Sequence, residues 1–192
     1  VGSEMCIRDR DGILTMPLVL PPTVAGFILL LLFSLRRPFG AFLLDNFDIK
    51  IVQTWKGCVI AASVIAFPLM YRNARAAFEQ VDVNLIYAGQ TLGMSDRRIF
   101  WKVIVPAAAP GIASGTVLAF ARAIGEYGAT SMLAGNILGK TRTVSVAIAA
   151  ETSAGNYDIA GFWVVVIVVI SFVIVALINI VSGRGMKSRR WI

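Results

Sequence analysis

Arg122 and Glu126 stand four residues apart in FARAIGEYGAT, a spacing that puts them on one helical face within reach of an ion pair. They adjoin the long apolar run from Val103 to Ala123. Ionisable groups at such a place face a bundle interior or a pathway, because contact with lipid is costly. Two roles fit: a pair that locks helices together, or the polar lining of a conduit in which Arg122 offers positive potential to an anion. Other chemistry is thinly provided for. The chain has no histidine and two cysteines, Cys6 and Cys58, so a metal centre would have little beyond scattered carboxylates to draw on. Cys58, in VQTWKGCVIAA, reads as a small buried hydrophobe, and the two cysteines do not suggest a disulfide framework. No glycine-rich loop runs into Lys-Ser or Lys-Thr, and no nucleophile is paired with a base, so the chain carries no phosphate cradle of its own. Neither an enzyme activity nor a cofactor is expected.

The elements that position these residues are apolar blocks. Of 192 residues, 57% are hydrophobic and only 15% charged, against roughly 25% charged in soluble domains. The mean hydropathy is +0.77. Ile13–Leu35, Ile51–Tyr71, Val103–Ala123 and Ile159–Val181 are each long enough to cross a hydrocarbon core of about 30 Å. Pro17, Pro21 and Pro22 fall in the first half of the first block, where a spanning helix hides a kink against its neighbours. Pro68 is expected to bend the second. In the third, Gly111, Gly115 and Ala119 recur every four residues. Such small residues form either a stripe along which another helix approaches closely or simply an Ala/Gly-rich lipid-facing helix, and the packing stripe is preferred. From Ile124 to Asp158 the chain is Gly-broken and mixed, fitting hairpins, re-entrant pieces or surface helices. The sequence therefore predicts an all-α integral membrane protein.

The net charge of +7 resides in clusters beside the apolar blocks, as headgroups and topology require rather than nucleic acid. Residues 72–102 form a basic connection too long to be structureless. Short helices meeting at Gly93 are predicted there, the second capped by Ser95 or Asp96. This segment either docks a soluble partner or only connects. With four crossings, it lies on the same side as the basic tail, residues 183–192. That side carries Arg72, Arg75, Arg97, Arg98, Lys102, Arg184, Lys187, Arg189 and Arg190, against Arg36, Arg37, Lys50, Lys140 and Arg142 on the other. The richer side is cytoplasmic by the positive-inside rule. The first residues, 1–11, are out of character with the rest of the chain and read as a non-native or atypical remnant, leaving residues 12–182 as the membrane domain.

Tyr87 to Pro106 reads YAGQTLGMSDRRIFWKVIVP. It resembles the signature of the permease subunits of bacterial ABC importers, E-A-A-x3-G-x9-I-x-L-P. Ala88, Gly93 and Pro106 match it; Val103 and Val105 stand for the isoleucine and leucine, Tyr87 for the glutamate and Gly89 for the second alanine. MPLVLPPTVAGF (Met16 to Phe27), IAFPLMYRNARAAFEQVD (Ile65 to Asp82) and the run from Phe120 to Ile148 resemble phrases of the subgroup importing molybdate, tungstate or sulfate, molybdate nearest. The resemblance implies a permease-type helical bundle in a bacterial or archaeal plasma membrane, with a cytoplasmic C-terminus. It further implies a homodimer of permeases, two cytoplasmic ABC ATPases, an external binding protein and an oxyanion as substrate. Residues 83–102 would then be the coupling helix seated on the ATPase. The usual five or six spans imply that the chain is N-terminally incomplete, with one or two spans expected before Ile13.

Overall fold

The computed structural model describes residues 2–187, and side chains over residues 11–176. The side chains of the basic tail, Arg184 and Lys187 among them, and those of the atypical N-terminus lie outside the described residues. Among the described residues all regular structure is helical. Helices of spanning length and hydropathy cover Trp55–Glu79, Asp96–Ile124 and Tyr157–Ala176. Only 6% of the last window is buried, and Val165, Val168, Val169 and Phe172 all stand more than half exposed. A water-soluble surface would not carry such a face, whereas in a bilayer its surroundings are hydrocarbon.

The first apolar block departs from the expected single kinked span. It is two helices, α1 (Gly2–Val19) and α2 (Pro22–Phe33), and Asp11–Val19 meets α2 at 116°. Three features of the proline run cause the break. Pro21 is the N-cap of α2 at ψ 135°, Pro22 is its first residue, and neither can donate the amide that would continue α1. After α2 come α3 (Pro38–Phe47), ended by Asp48 in the left-handed region at φ 50°, and α4 (Trp55–Glu79). Pro68 is fully buried inside α4.

The 72–102 connection is more helical than expected. α4 continues to Glu79, and α5 (Val83–Thr91) is the short helix predicted there. The second short helix is instead the start of a long one. α6 (Asp96–Ile99) runs through a π-helical stretch, Phe100–Ile104, into α7 (Val105–Ile124), and Asp96–Ile124 is continuous enough to span. Ser95 does sit at the N-cap of α6 but makes no side-chain cap bond. Beyond α7 come α8 (Gly128–Leu133), α9 (Val144–Ser153) and α10 (Tyr157–Lys187).

The described residues form two compact units: those up to Pro68 with Phe120–Phe172, and Leu69–Ala119 with those from Val173 onward. In the first, α2 packs against α8. Ala25, Leu29, Ile51, Ala61, Ile65, Ala129 and Leu133 make the core. A Cβ on Gly26 would lie 2.5 Å from Ala129 Cα, so the two backbones meet with nothing between them. In the second unit α7 lies along the end of α4. A Cβ on Gly111 would be 2.6 Å from Ala77 Cβ, and one on Gly115 2.6 Å from Asn73 Cβ. Here the four-residue stripe has a helix against it, with Ala119 half-buried further along.

Candidate functional site

The residues singled out from the sequence separate into two places, one in each unit. The elbow between α5 and α6 holds the signature residues. Asp82 caps α5, its Oδ1 accepting the Asn84 amide at 2.9 Å. At the other end Gly93 N–H donates to Gln90 O (2.9 Å) and Met94 N–H to Gly89 O (3.1 Å). This pair of reversed bonds closes a helix through a left-handed residue, and Gly93 has φ +69° with nothing within 4 Å of a Cβ. Gly93 is therefore set by its backbone, not by crowding.

Gly89 has the other reason. It is buried, and an added Cβ would stand 3.0 Å from Ile99 Cγ1. Ile99, itself 2% exposed, is the side chain on which α5 rests. The place of Ile99 beneath α5 is a tertiary contact, which the local pattern SDRRIF does not show. Phe78, at the end of α4, stacks on Phe100 with ring centroids 6.2 Å apart, and Phe100 meets Trp101 edge-on at 5.2 Å.

What the elbow shows to its surroundings is a mixed face. Tyr87 is 58% and Leu92 79% exposed, and Ala88, Arg97 and Arg98 are exposed too. Val103, Val105 and Pro106 are half-buried, the two valines bracketing the change from π-helical to α-helical winding. They support the elbow rather than present it. Among the described residues no group of three or more His, Cys, Asp or Glu converges. The elbow's exposed face is apolar and basic at once.

The second place is the corner between α7 and α8. Arg122 Nη1 lies 3.0 Å from Glu126 Oε2, with the arginine side chain 35% exposed and the glutamate 1%. The other carboxylate oxygen, Oε1, accepts the Ala129 amide at 2.8 Å, which meets an orphan donor at the start of α8. Oε2 accepts no directed hydrogen bond, so its compensation is the arginine charge itself. A few residues on, α8 is pinned again, with Gln53 N–H donating to Leu133 O at 3.2 Å. Thr141 is buried, its hydroxyl oxygen accepting the Ile137 amide at 3.1 Å and its carbonyl facing Cys58 Sγ at 3.5 Å. Arg142 bonds Asn136 Oδ1 (2.8 Å) and Glu151 Oε1 (2.9 Å), and Asn156 Nδ2 donates to Glu151 Oε2 (2.9 Å). The last two contacts, Asn156 first, hold the Glu151 carboxyl below its ordinary range.

Residues 11–183 match the family described as the binding-protein-dependent transport system inner membrane component. The chain is 44% identical over 164 residues to a candidate molybdenum transport system permease protein of Bacillus subtilis (strain 168), covering 85% of this chain and 72% of the relative. It is 48% identical over 138 residues to the molybdenum transport system permease protein of Escherichia coli (strain K12), covering 72% and 60%. It is 34% identical over 174 residues to a sulfate transport system permease protein of Salmonella typhimurium, covering 91% and 62%. The chain thus spans between 60% and 72% of the length of these curated relatives.

Proposed function

Because the chain belongs to the family of binding-protein-dependent transport system inner membrane components, a multi-pass protein of the plasma membrane, we infer that it is the permease subunit of an ATP-driven importer carrying molybdate or a related oxyanion into the cytoplasm. The observation that carries this is the α5–α6 elbow: a capped, glycine-closed helix, resting on Ile99, whose outer face is apolar and basic. Such a face suits insertion into a cleft of a soluble motor. The molybdenum permeases at 48% and 44% identity favour molybdate, and the sulfate permease at 34% makes sulfate the second candidate.

In this scheme two copies of the permease enclose the pathway, and two cytoplasmic ATPases drive it. Closure of the ATPases on ATP moves α5, and the movement rocks the two permeases between inward- and outward-facing states. An external binding protein supplies the oxyanion and most of the selectivity, since a pathway works with weak, brief contacts from which the ion can leave. The C-terminus and the elbow share the cytoplasmic side.

Of the two roles open to Arg122 and Glu126, bracing is the better supported. Glu126 is buried and its carboxylate is engaged by Ala129 N–H and by Arg122. The pair is neutral overall, so little of the Arg122 charge is left for a passing anion. Radiolabelled molybdate uptake by the reconstituted complex, competed with tungstate and sulfate, is the deciding experiment. Saturable ATP-dependent uptake that withstands excess sulfate but is competed by tungstate is expected. ATP hydrolysis without uptake of any of the three would sink the assignment.

A further inference from the structure

The turn from α2 to α3 holds a groove of about 430 Å³ that the transport scheme does not use. It is lined by Ile28, Leu31 and Leu32 of α2, and by Arg37, Pro38 and Phe39 at the start of α3. Residues 28, 31 and 32 share one helical face and are each 41% to 50% exposed, as is Phe39 at 45%. The apolar wall thus runs along α2, the second half of the bent apolar block, and ends at an arginine.

Charge at the mouth is unspent. Arg36 and Arg37 are both exposed, and neither guanidinium takes part in an ion pair among the described residues. α3 begins there with Pro38 at its first position and no side-chain cap on its N-terminus, so the positive end of its dipole faces the same space. The acidic residues of this stretch, Asp45 and Asp48, are at the far end of the helix. Close packing fixes the geometry: a Cβ on Gly40 would collide with the Ser34 carbonyl. The outer aromatics Phe42 and Phe47, ring centroids 6.1 Å apart and both more than half exposed, add apolar surface beside the groove.

An anion-attracting mouth on an apolar wall, at the end of the apolar helix α2, suits an anionic phospholipid. We propose that the α2–α3 groove is a binding site for a phospholipid such as phosphatidylglycerol, its phosphate held between Arg36, Arg37 and the start of α3, and one acyl chain lying along Ile28, Leu31 and Leu32. A second copy of the chain suits this face less well, because a two-fold contact through the patch would bring the unpaired arginines of both copies together. The site does not depend on which solute is carried.

The test is native mass spectrometry of the permease–ATPase complex released from nanodiscs of equimolar phosphatidylglycerol and phosphatidylcholine. Retained phosphatidylglycerol is expected to exceed phosphatidylcholine. Arg36→Gln and Arg37→Gln should each lower that preference about fivefold, while Arg37→Lys largely keeps it. Leu31→Trp, which fills the groove, should reduce retention of both lipids. These changes face outward, so the complex should keep its melting temperature; if Arg37→Gln lowers the yield, the lysine and tryptophan variants carry the test. Equal retention of the two lipids by the unaltered protein, or a preference untouched by both glutamine changes, would overturn the proposal. So would displacement of phosphatidylglycerol by inorganic phosphate alone, or a disulfide between copies formed through Phe39→Cys.

Discussion

Gly26 lies where α2 meets α8, Gly93 where α5 meets α6, and the two are glycine for different reasons. At Gly26 the neighbour decides: Ala129 Cα occupies the space a side chain would need. At Gly93 the residue's own backbone decides, since φ is +69° and the surrounding space is empty. The first unit is accordingly built by contact, with a buried carboxylate and helix backbones touching. The elbow is built by local hydrogen bonding, with one isoleucine beneath it. A region held by contact resists change and serves as a frame. A region held by its own backbone can keep its shape while being pushed from outside, as the proposed coupling to an ATPase requires of its lever.

The comparison breaks first at the corner if anywhere. Arg122→Leu should leave Glu126 buried without its compensating charge. Removing one partner of a buried pair typically costs 3–5 kcal/mol, and the partial exposure of Arg122 puts the expected loss near the lower end, about 3 kcal/mol. The amount of folded permease extracted from membranes and its melting temperature would report it. Glu126→Gln keeps an acceptor for Ala129 N–H and should cost less. A stable Arg122→Leu protein with altered anion selectivity would instead favour the pathway-lining role.

Next comes Gly26→Val, expected to cost about 2–3 kcal/mol through overpacking against backbone that cannot step aside. Gly93→Val makes the opposite case. It should cost only about 1–2 kcal/mol for a β-branched residue held in the left-handed region, and leave the protein in the membrane. Coupling is where it should fail, with ATP hydrolysis continuing and uptake lost. Gly93→Asn, tolerated at such a φ, should retain uptake. If Gly93→Val transports normally, the elbow is not the lever; if it fails to fold, the contrast between the two regions is lost.

How much of this was legible in the residues depends on the same division. Gly93 could be found because a glycine-closed helix end is a local device, written within a few residues of YAGQTLGMSD. The stripe of Gly111 and Gly115 was legible for the same reason, its period being that of one helix. Gly26 carried no such mark, because its partner Ala129 is distant in sequence. The prolines of LPP were visible, but whether they kink a span or break it at 116° depends on where α2 goes to find α8. The continuity of α6 into α7 was hidden by charge. Asp96, Arg97, Arg98 and Lys102 read as a polar connection, yet a helix needs only its backbone bonds, and side chains at its end are free to lie outside the apolar zone.

The smallest expected effect concerns the clasp between the loop after α8 and the end of α9, where the first unit depends on charge rather than on close packing. Glu151 accepts from Arg142 and Asn156, and its carboxyl is held below the ordinary range by the Asn156 bond first and then by Arg142. A lowered carboxylate favours the folded clasp wherever the group would be ionised in the open chain. That contribution is complete above the ordinary glutamate range and fades as pH falls through the lowered value. The protection of residues 136–143 from hydrogen exchange, taken relative to the open-chain rate at each pH, should therefore be high at about pH 7 and fall below about pH 4, while Glu151→Gln, which has no proton to gain, should show no such step. The clasp is made by a loop and a helix end, so the change should stay local, leaving Gly26 and the α2–α8 contact as protected as before. Acid loosening that spread into α8 would mean that the clasp bears part of the frame. The line between contact-built and bond-built regions would then have to be drawn inside the first unit rather than at the elbow.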